Sequence, residues 1–296
     1  MVTWSLFKQG IMPVLRALPA HEVMMGPHPV KQPIPTQSVD QIDPFLLIHH
    51  HRSTIAPGTD RWDAGVGPHP HRGFSPITFM WEGGVHHRDS RGNNSVVGGG
   101  GVQWTDVGMG IIHSERPPAE LCENGGVQEI IQIWVNLPKA NKMMEPVYLP
   151  FQKEELPSAH GHPELKIVSG DLGHDQAVGP LKGAYPVTSA HGVATTAPFS
   201  FTVKEGENGL FYLLSGAGRL EGYGLVENAM LYHLDAGDYT AHLEEGSKVF
   251  FIAAAPIGEK VESYGPFVMT NQTEIMEAMR DYQMGKMGYL VERDMP

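Results

Sequence analysis

His69-Pro70-His71-Arg72-Gly73-Phe74, followed by Ile77-Thr78-Phe79-Met80-Trp81 and the pair Gly83-Gly84, is the stretch on which the reading of this chain turns. Two histidines one residue apart lead into a β-prone run that ends in glycines, the pattern of a strand entering a hairpin. On a strand, side chains at i and i+2 share a face, so His69 and His71 offer two imidazoles on one side of the backbone. A second pair of the same spacing follows at His113-Ser114-Glu115. Two such strands facing each other inside a small barrel would surround one cation with three imidazoles and one carboxylate. That mixed nitrogen and oxygen shell suits iron, manganese, nickel, copper or zinc better than calcium or magnesium. Four protein ligands in a six-coordinate geometry leave two positions open, as a catalytic metal requires.

Spacing alone is weak evidence, because 16 histidines in 296 residues produce about one His-x-His pair by chance. Three occur, and context separates them. His160 and His162 sit among Ser158, Ala159, Gly161 and Pro163 and read as a solvated linker. His49 to His51 follow Phe45-Leu46-Leu47-Ile48 and read as the polar end of a strand. Only His69/His71 is set up as a strand entering a hairpin. His86-His87-Arg88-Asp89-Ser90 reads as a solvated hairpin tip or as the mouth of a site. Gly98 to Gly101 lead into Val102-Gln103-Trp104 rather than into a helix, so they form a turn and not a phosphate cradle. No Gly-x-Ser-x-Gly elbow occurs, and no dinucleotide-binding glycine motif follows a strand and opens a helix.

Composition narrows the classes further. The net charge of −12, with no dense Lys/Arg run, argues against direct nucleic-acid binding. The single cysteine, Cys122, forms no intramolecular disulfide and fits a reducing, cytoplasmic setting. Its acidic neighbours Glu120 and Glu123 disfavour a catalytic thiolate. The longest apolar run, Val249 to Ala255, fits a buried strand rather than a membrane span. Met1 to Ala20 is mildly apolar but interrupted by Lys8, Gln9 and Gly10, and does not read as a signal peptide.

With 35 glycines and 24 prolines the chain has tight turns and many short strands, so an all-β protein of two domains is expected. Strands are predicted at Val102–Asp106, Ile130–Val135, Phe199–Val203, Leu210–Leu214 and Val249–Ile252. Pro138–Pro163, with five prolines and little periodicity, reads as an inter-domain connection. The turn-then-strand layout around Glu207-Asn208-Gly209 echoes that ahead of Ile77 and hints at an internal duplication. One helix is predicted near the C-terminus, capped by Asn271 with Glu274, carrying an Ile275, Met276 and Met279 stripe and stopped by Gly285 and Gly288.

Taken with these motifs, the sequence resembles the pirin family of bicupins. The matching stretches are Asp43-Pro44-Phe45-Leu46-Leu47, Pro68 to Phe74, His87-Arg88-Asp89-Ser90, Val102-Gln103-Trp104, Gly108 to Glu115 and Gln132 to Pro138. Tyr264 to Met269 and Gly285 to Gly288 match in the second half. The resemblance implies two tandem cupin (jelly-roll β-barrel) domains with a short C-terminal helix: 1–150 a metal-binding cupin and 151–296 a cupin without a metal site. It implies His69, His71, His113 and Glu115 as ligands, with Fe(II) the usual metal. Departures are Ser75 in place of a glutamate, Gly99 to Gly101 in place of Pro-Gly-Asp, and His49-His50-His51 where many members have Asp-His-Phe. The region before Asp43 matches poorly.

Several pirins cleave the flavonol quercetin with dioxygen, and animal members act as nuclear co-regulators. The expectation is therefore a metal-dependent dioxygenase acting on a flavonol-like aromatic and dioxygen. Glu115 would serve as the base, and Phe74, Trp104 and Trp134 could wall the pocket. The alternative is an iron-binding, redox-responsive regulator acting through a protein partner, for which the acidic surface would suit a basic one.

Overall fold

The computed structural model describes residues 14–292. The N-terminal stretch weighed as a signal peptide lies largely outside the described residues. The chain forms two compact units, and they interleave in sequence. One comprises His21–Leu156, Leu181–Pro186 and the chain from Pro256 onward; the other comprises Pro157–Pro180, Val187–Ala255 and the strand Val14–Pro19. The sequence expectation divides the chain once, between 150 and 151. The difference has two sources. Val147–Phe151, inside the proline-rich stretch read as a connection, pairs with Val102–Asp106 as an edge strand, a position that tolerates Pro150. The C-terminal segment, for its part, belongs to the first unit.

Each unit is all-β and is built from one large and one four-stranded antiparallel sheet. In the first unit the seven-stranded sheet runs Val147–Phe151, Val102–Asp106, Phe74–Glu82, Gly126–Asn136, Phe45–Ile55, His28–Ile34 and His21–Met25. Its smaller sheet runs Val66–His71, Ile111–Arg116, Gly84–Asp89 and Asn94–Gly98. The stretch after His71 behaves as its composition demands: Phe74–Glu82 is almost wholly buried, because both of its faces are covered. Gly100, at φ +82°, makes the turn that the glycine run predicts, and Val102–Asp106 follows it as a strand.

In the second unit an eight-stranded sheet and a four-stranded sheet enclose an aromatic core. Phe201 lies 4.3 Å from Phe251 and stacks on Phe211 and Tyr239, ring centroid to ring centroid. The predicted strands at Phe199–Val203, Leu210–Leu214 and Val249–Ile252 are all present here. His162 opens a strand and is buried, its Nδ1 accepting from the Thr195 amide at 3.0 Å. The reading of His160 and His162 together as a solvated linker therefore holds only for His160.

The C-terminal helix spans Gln272–Gln283 and docks on the first unit. Asn271 caps it, accepting from the Glu274 amide at 3.0 Å, while the Glu274 carboxylate returns to Thr270. Ile275 and Ala278 form its buried face, with Met279 packed beside them. Met276, expected in the stripe, is exposed, because one residue past Ile275 is about 100° around the helix.

Lys142 fastens this segment from inside. Its side chain is buried and its ammonium donates to the carbonyls of Gly73 (2.7 Å) and Val268 (3.1 Å) and to Asn136 Oδ1 (2.6 Å). Burial lowers its pKa to about 8, against the pull of Glu259 and Glu274. In the unfolded chain the same group keeps its proton up to about pH 10.4, so folding releases a proton between these values and the contribution of Lys142 to stability rises with pH across that window. Lys142→Met, which orphans three buried acceptors, is expected to cost about 3 kcal/mol in urea unfolding. The gap to wild type should widen from pH 7 to pH 9; a gap that stays constant would mean that Lys142 holds its usual pKa.

Candidate metal centre

The two histidine-bearing strands are neighbours in one sheet rather than opposing walls. Val66–His71 pairs antiparallel with Ile111–Arg116, and His69 lies directly opposite His113. Between this pair and Glu115↔Val66 the register slips by one residue, which bulges the strand at Gly67-Pro68. The pleat puts His69, His71, His113 and Glu115 on the same side. One ring nitrogen from each of His69, His71 and His113 lies within 4.8 Å of the others, and Nε2 of His69 is 3.0 Å from Nε2 of His113.

Three features suit this cluster to a cation. Nδ1 of His69 donates to the Gly67 carbonyl at 2.8 Å, which fixes the tautomer and turns a bare Nε2 toward His113. Two bare or near-bare nitrogens 3.0 Å apart repel unless a proton or a metal lies between them. Burial, then the neighbouring His69 ring, holds His71 well below the usual imidazole pKa, against the Pro266 carbonyl. Burial, then His69, His71 and His87, does the same for His113. Neutral imidazoles are what a metal binds. Among the described residues these three form the one group of three or more such side chains at this spacing.

Glu115 lines the same cavity but stands outside the 4.8 Å cluster. Its carboxylate is gripped from the facing sheet: Gln132 Nε2 donates to Oε2 at 2.8 Å, and Gln103 Nε2 and Thr78 Oγ1 (3.2 Å) donate to Oε1. These donors belong to one row. Gln103, Thr78 and Gln132 are successive cross-strand partners, and His49 is the next. A row of cross-strand polar side chains, with Thr78 and Gln103 buried, is the informative kind of burial. Each member was visible in the sequence as a polar residue inside a β-prone run, yet single strands do not reveal that the four align.

The cavity has a volume of about 320 Å³ and is lined by Val30, Val66, Val85, Ile130 and Trp134 as well as by the polar groups. His49 and His51 line it too, so the reading of these residues as a plain strand end is corrected: Phe45–Ile55 is one long strand that carries them over the cavity. His87 is buried rather than at a solvated tip; its ring stacks on Tyr148 at 4.0 Å and lies 5.3 Å from that of His113. Of the three aromatic candidates, only Trp134 lines the cavity. Phe74 packs behind it at 4.2 Å and edge-on to His71 at 5.1 Å, while Trp104 is core, its indole donating to Asp106. The Cys122 thiol is buried, and burial raises its pKa, with Asp60 and Glu123 adding to the effect and Arg61 opposing it.

Comparison with known proteins agrees with this fold. Residues 27–135 match the family model described as Pirin, and residues 192–288 match that of the Pirin C-terminal cupin domain. Pirin-1 of Arabidopsis thaliana is 34% identical over 269 residues, covering 85% of this chain and 86% of that protein. A pirin-like protein of Caulobacter vibrioides is 33% identical over 257 residues, covering 85% and 90%. Among solved structures, a quercetin 2,3-dioxygenase from Acinetobacter baumannii is similar with a TM-score of 0.84 at 31% identity, covering 95% of this chain and all of that one. Among the described residues no helix is long and apolar enough to cross a membrane.

A direct test of the cluster is elemental analysis of untagged protein beside single variants. His71→Ala and His113→Ala are expected to lose most of the bound transition metal, while His51→Ala keeps it. Equal metal content in all three would place the metal elsewhere.

Proposed function

Since the chain belongs to the pirin family, we propose that it is a metal-dependent dioxygenase that opens a flavonol such as quercetin with molecular oxygen, with Fe(II) as the working metal. The observation that carries this reading is the convergence of three imidazoles, those of His71 and His113 buried and that of His69 half-buried, with one carboxylate and a cavity of about 320 Å³, at the lower end of the range for a drug-sized ligand.

His69, His71 and His113 would hold the metal, with Glu115 as the fourth side chain. Once bound, the metal supplies Lewis acidity that lowers the pKa of a substrate hydroxyl and a centre through which electrons pass to dioxygen. The rest falls to the chain's own residues. Glu115 is the carboxylate of the cavity lining and so the base for the hydroxyl proton of the flavonol. Gln132 and Gln103 grip both of its oxygens and hold it toward that proton, at the cost of no rearrangement when the substrate arrives. Trp134, backed by Phe74, gives a flat apolar wall against which a planar ring stacks. Val30, Val66, Val85 and Ile130 keep water from competing for the electron-rich ring.

Protein loaded with Fe(II) is expected to consume oxygen on addition of quercetin, with loss of the flavonol's visible absorbance. Glu115→Gln, matched for metal content, should lower kcat by about 10²- to 10⁴-fold. Gln132→Leu, which removes a donor from Glu115 but leaves the carboxylate, should produce a smaller loss. Absence of oxygen uptake by fully metal-loaded wild type would end the quercetinase reading.

A further inference from the structure

The cavity contains a second set of imidazoles that metal binding leaves unused. His28, His49 and His51 line it from the seven-stranded sheet, facing the sheet that carries the three-histidine cluster. His49 is the fourth member of the polar row; the other three are committed to Glu115, and His49 is not. Its protonation pattern can be traced outward. Gln32 Nε2 donates to the Pro35 carbonyl at 2.7 Å, which orients the amide and leaves Oε1 facing His49. His49 Nε2 lies 2.7 Å from that oxygen and must be the donor. Burial lowers the His49 pKa to about 4, so the ring is neutral and its Nδ1 is a lone-pair acceptor. His51 differs: Nδ1 meets the Pro29 carbonyl at 3.3 Å and Nε2 meets Ser53 Oγ at 3.0 Å, so both of its nitrogens are engaged.

We propose that His49 is a specificity residue, its Nδ1 accepting a hydroxyl hydrogen from the part of the substrate that lies away from the metal. The cavity then selects a hydroxylated aromatic over the same skeleton without that hydroxyl. The inference rests on the flavonol-opening reading above and names a determinant within it. Its physical basis is asymmetric. A hydroxyl that reaches the ring exchanges water for an imidazole acceptor at little cost, whereas a bare ring edge displaces that water and leaves a mostly buried acceptor without a partner.

The test is binding under anaerobic, metal-loaded conditions, read by quenching of tryptophan fluorescence, since Trp134 lies in the cavity. The probes are quercetin and galangin, the same flavonol without the two hydroxyls of its pendant ring. Wild type should bind quercetin about three- to tenfold more tightly than galangin. His49→Leu should hold both with equal affinity, and His49→Asn, which returns an acceptor oxygen near the Nδ1 position, should restore part of the preference. An unchanged quercetin-to-galangin ratio in His49→Leu overturns the specificity role while leaving flavonol binding intact. Failure of wild type to bind either flavonol overturns both. Should His49→Leu bind neither, His49→Asn decides: a retained preference supports the role, and a lost one refutes it.

Discussion

Direct cross-strand pairing of His69 with His113 is the constraint on which the centre rests. A slip of one residue would turn an entire strand's side chains to the other face and scatter the cluster. Several contacts hold the register. Gly65, at φ +69°, comes so close to the Glu115 carbonyl that a Cβ there would lie 2.5 Å from it. Arg116 reaches across to the carbonyls of Trp62 (2.8 Å) and Ala64 (2.7 Å), tying the loop before Val66 to the strand that bears His113. The bulge at Gly67-Pro68 then supplies the carbonyl that orients His69. Backbone and side-chain geometry are thus settled by one strand pair.

The residues that follow the ligand pairs anchor this sheet on its other side. Arg72, next to His71, pairs with Asp281 at 3.0 Å and donates to the Met109 carbonyl at 2.6 Å. Arg116, next to Glu115, pairs with Glu292 at 2.7 Å. Burial works against the Glu292 carboxylate, yet its hydrogen bond with Arg116 and the charges of Arg116 and Arg88 win, so its pKa lies below the usual range. Alternation along a strand explains the division of labour: one face holds the chemistry, the next residue faces away and meets the C-terminal segment. Ion pairs in such partly dry settings contribute geometry more dependably than net stability. Geometry is what a centre of three converging rings needs.

The sequence made the strands, the two ligand pairs and the capped helix legible, because each is a local pattern. Ile77 to Trp81 and Phe199 to Val203 are strands for reasons that lie within five residues. What could not be read depends on partners distant in the chain. His49 and His87 look like polar strand ends until the sheets are assembled around them. Val147–Phe151 looks like linker because an edge strand needs only one partner and admits proline. Met276 falls off the helix's buried face because the small Ala278, which carries little hydrophobic signal, occupies the contact instead. That the histidine strands are neighbours rather than opposed is likewise a fact of pairing order, which spacing does not encode.

The same architecture is used twice with opposite interiors, and one row of side chains makes the difference. In the second unit the cross-strand row is Tyr232, Phe211, Phe251 and Ala190, and Phe201 from the smaller sheet packs onto it at 4.3 Å from Phe251. In the first unit the row is His49, Gln132, Thr78 and Gln103, and Glu115 from the smaller sheet meets it through hydrogen bonds. An aromatic row closes the space by dispersion and area burial, so the interior fills. A polar row resists such closure, because each amide or hydroxyl buried without a partner costs on the order of 1–3 kcal/mol. Three of its four members, Gln132, Thr78 and Gln103, donate to a carboxylate from across the gap, and the carboxylate in turn shares the cavity with three imidazoles. The cavity therefore persists in the folded protein because its walls include groups that apolar packing would leave unpaired.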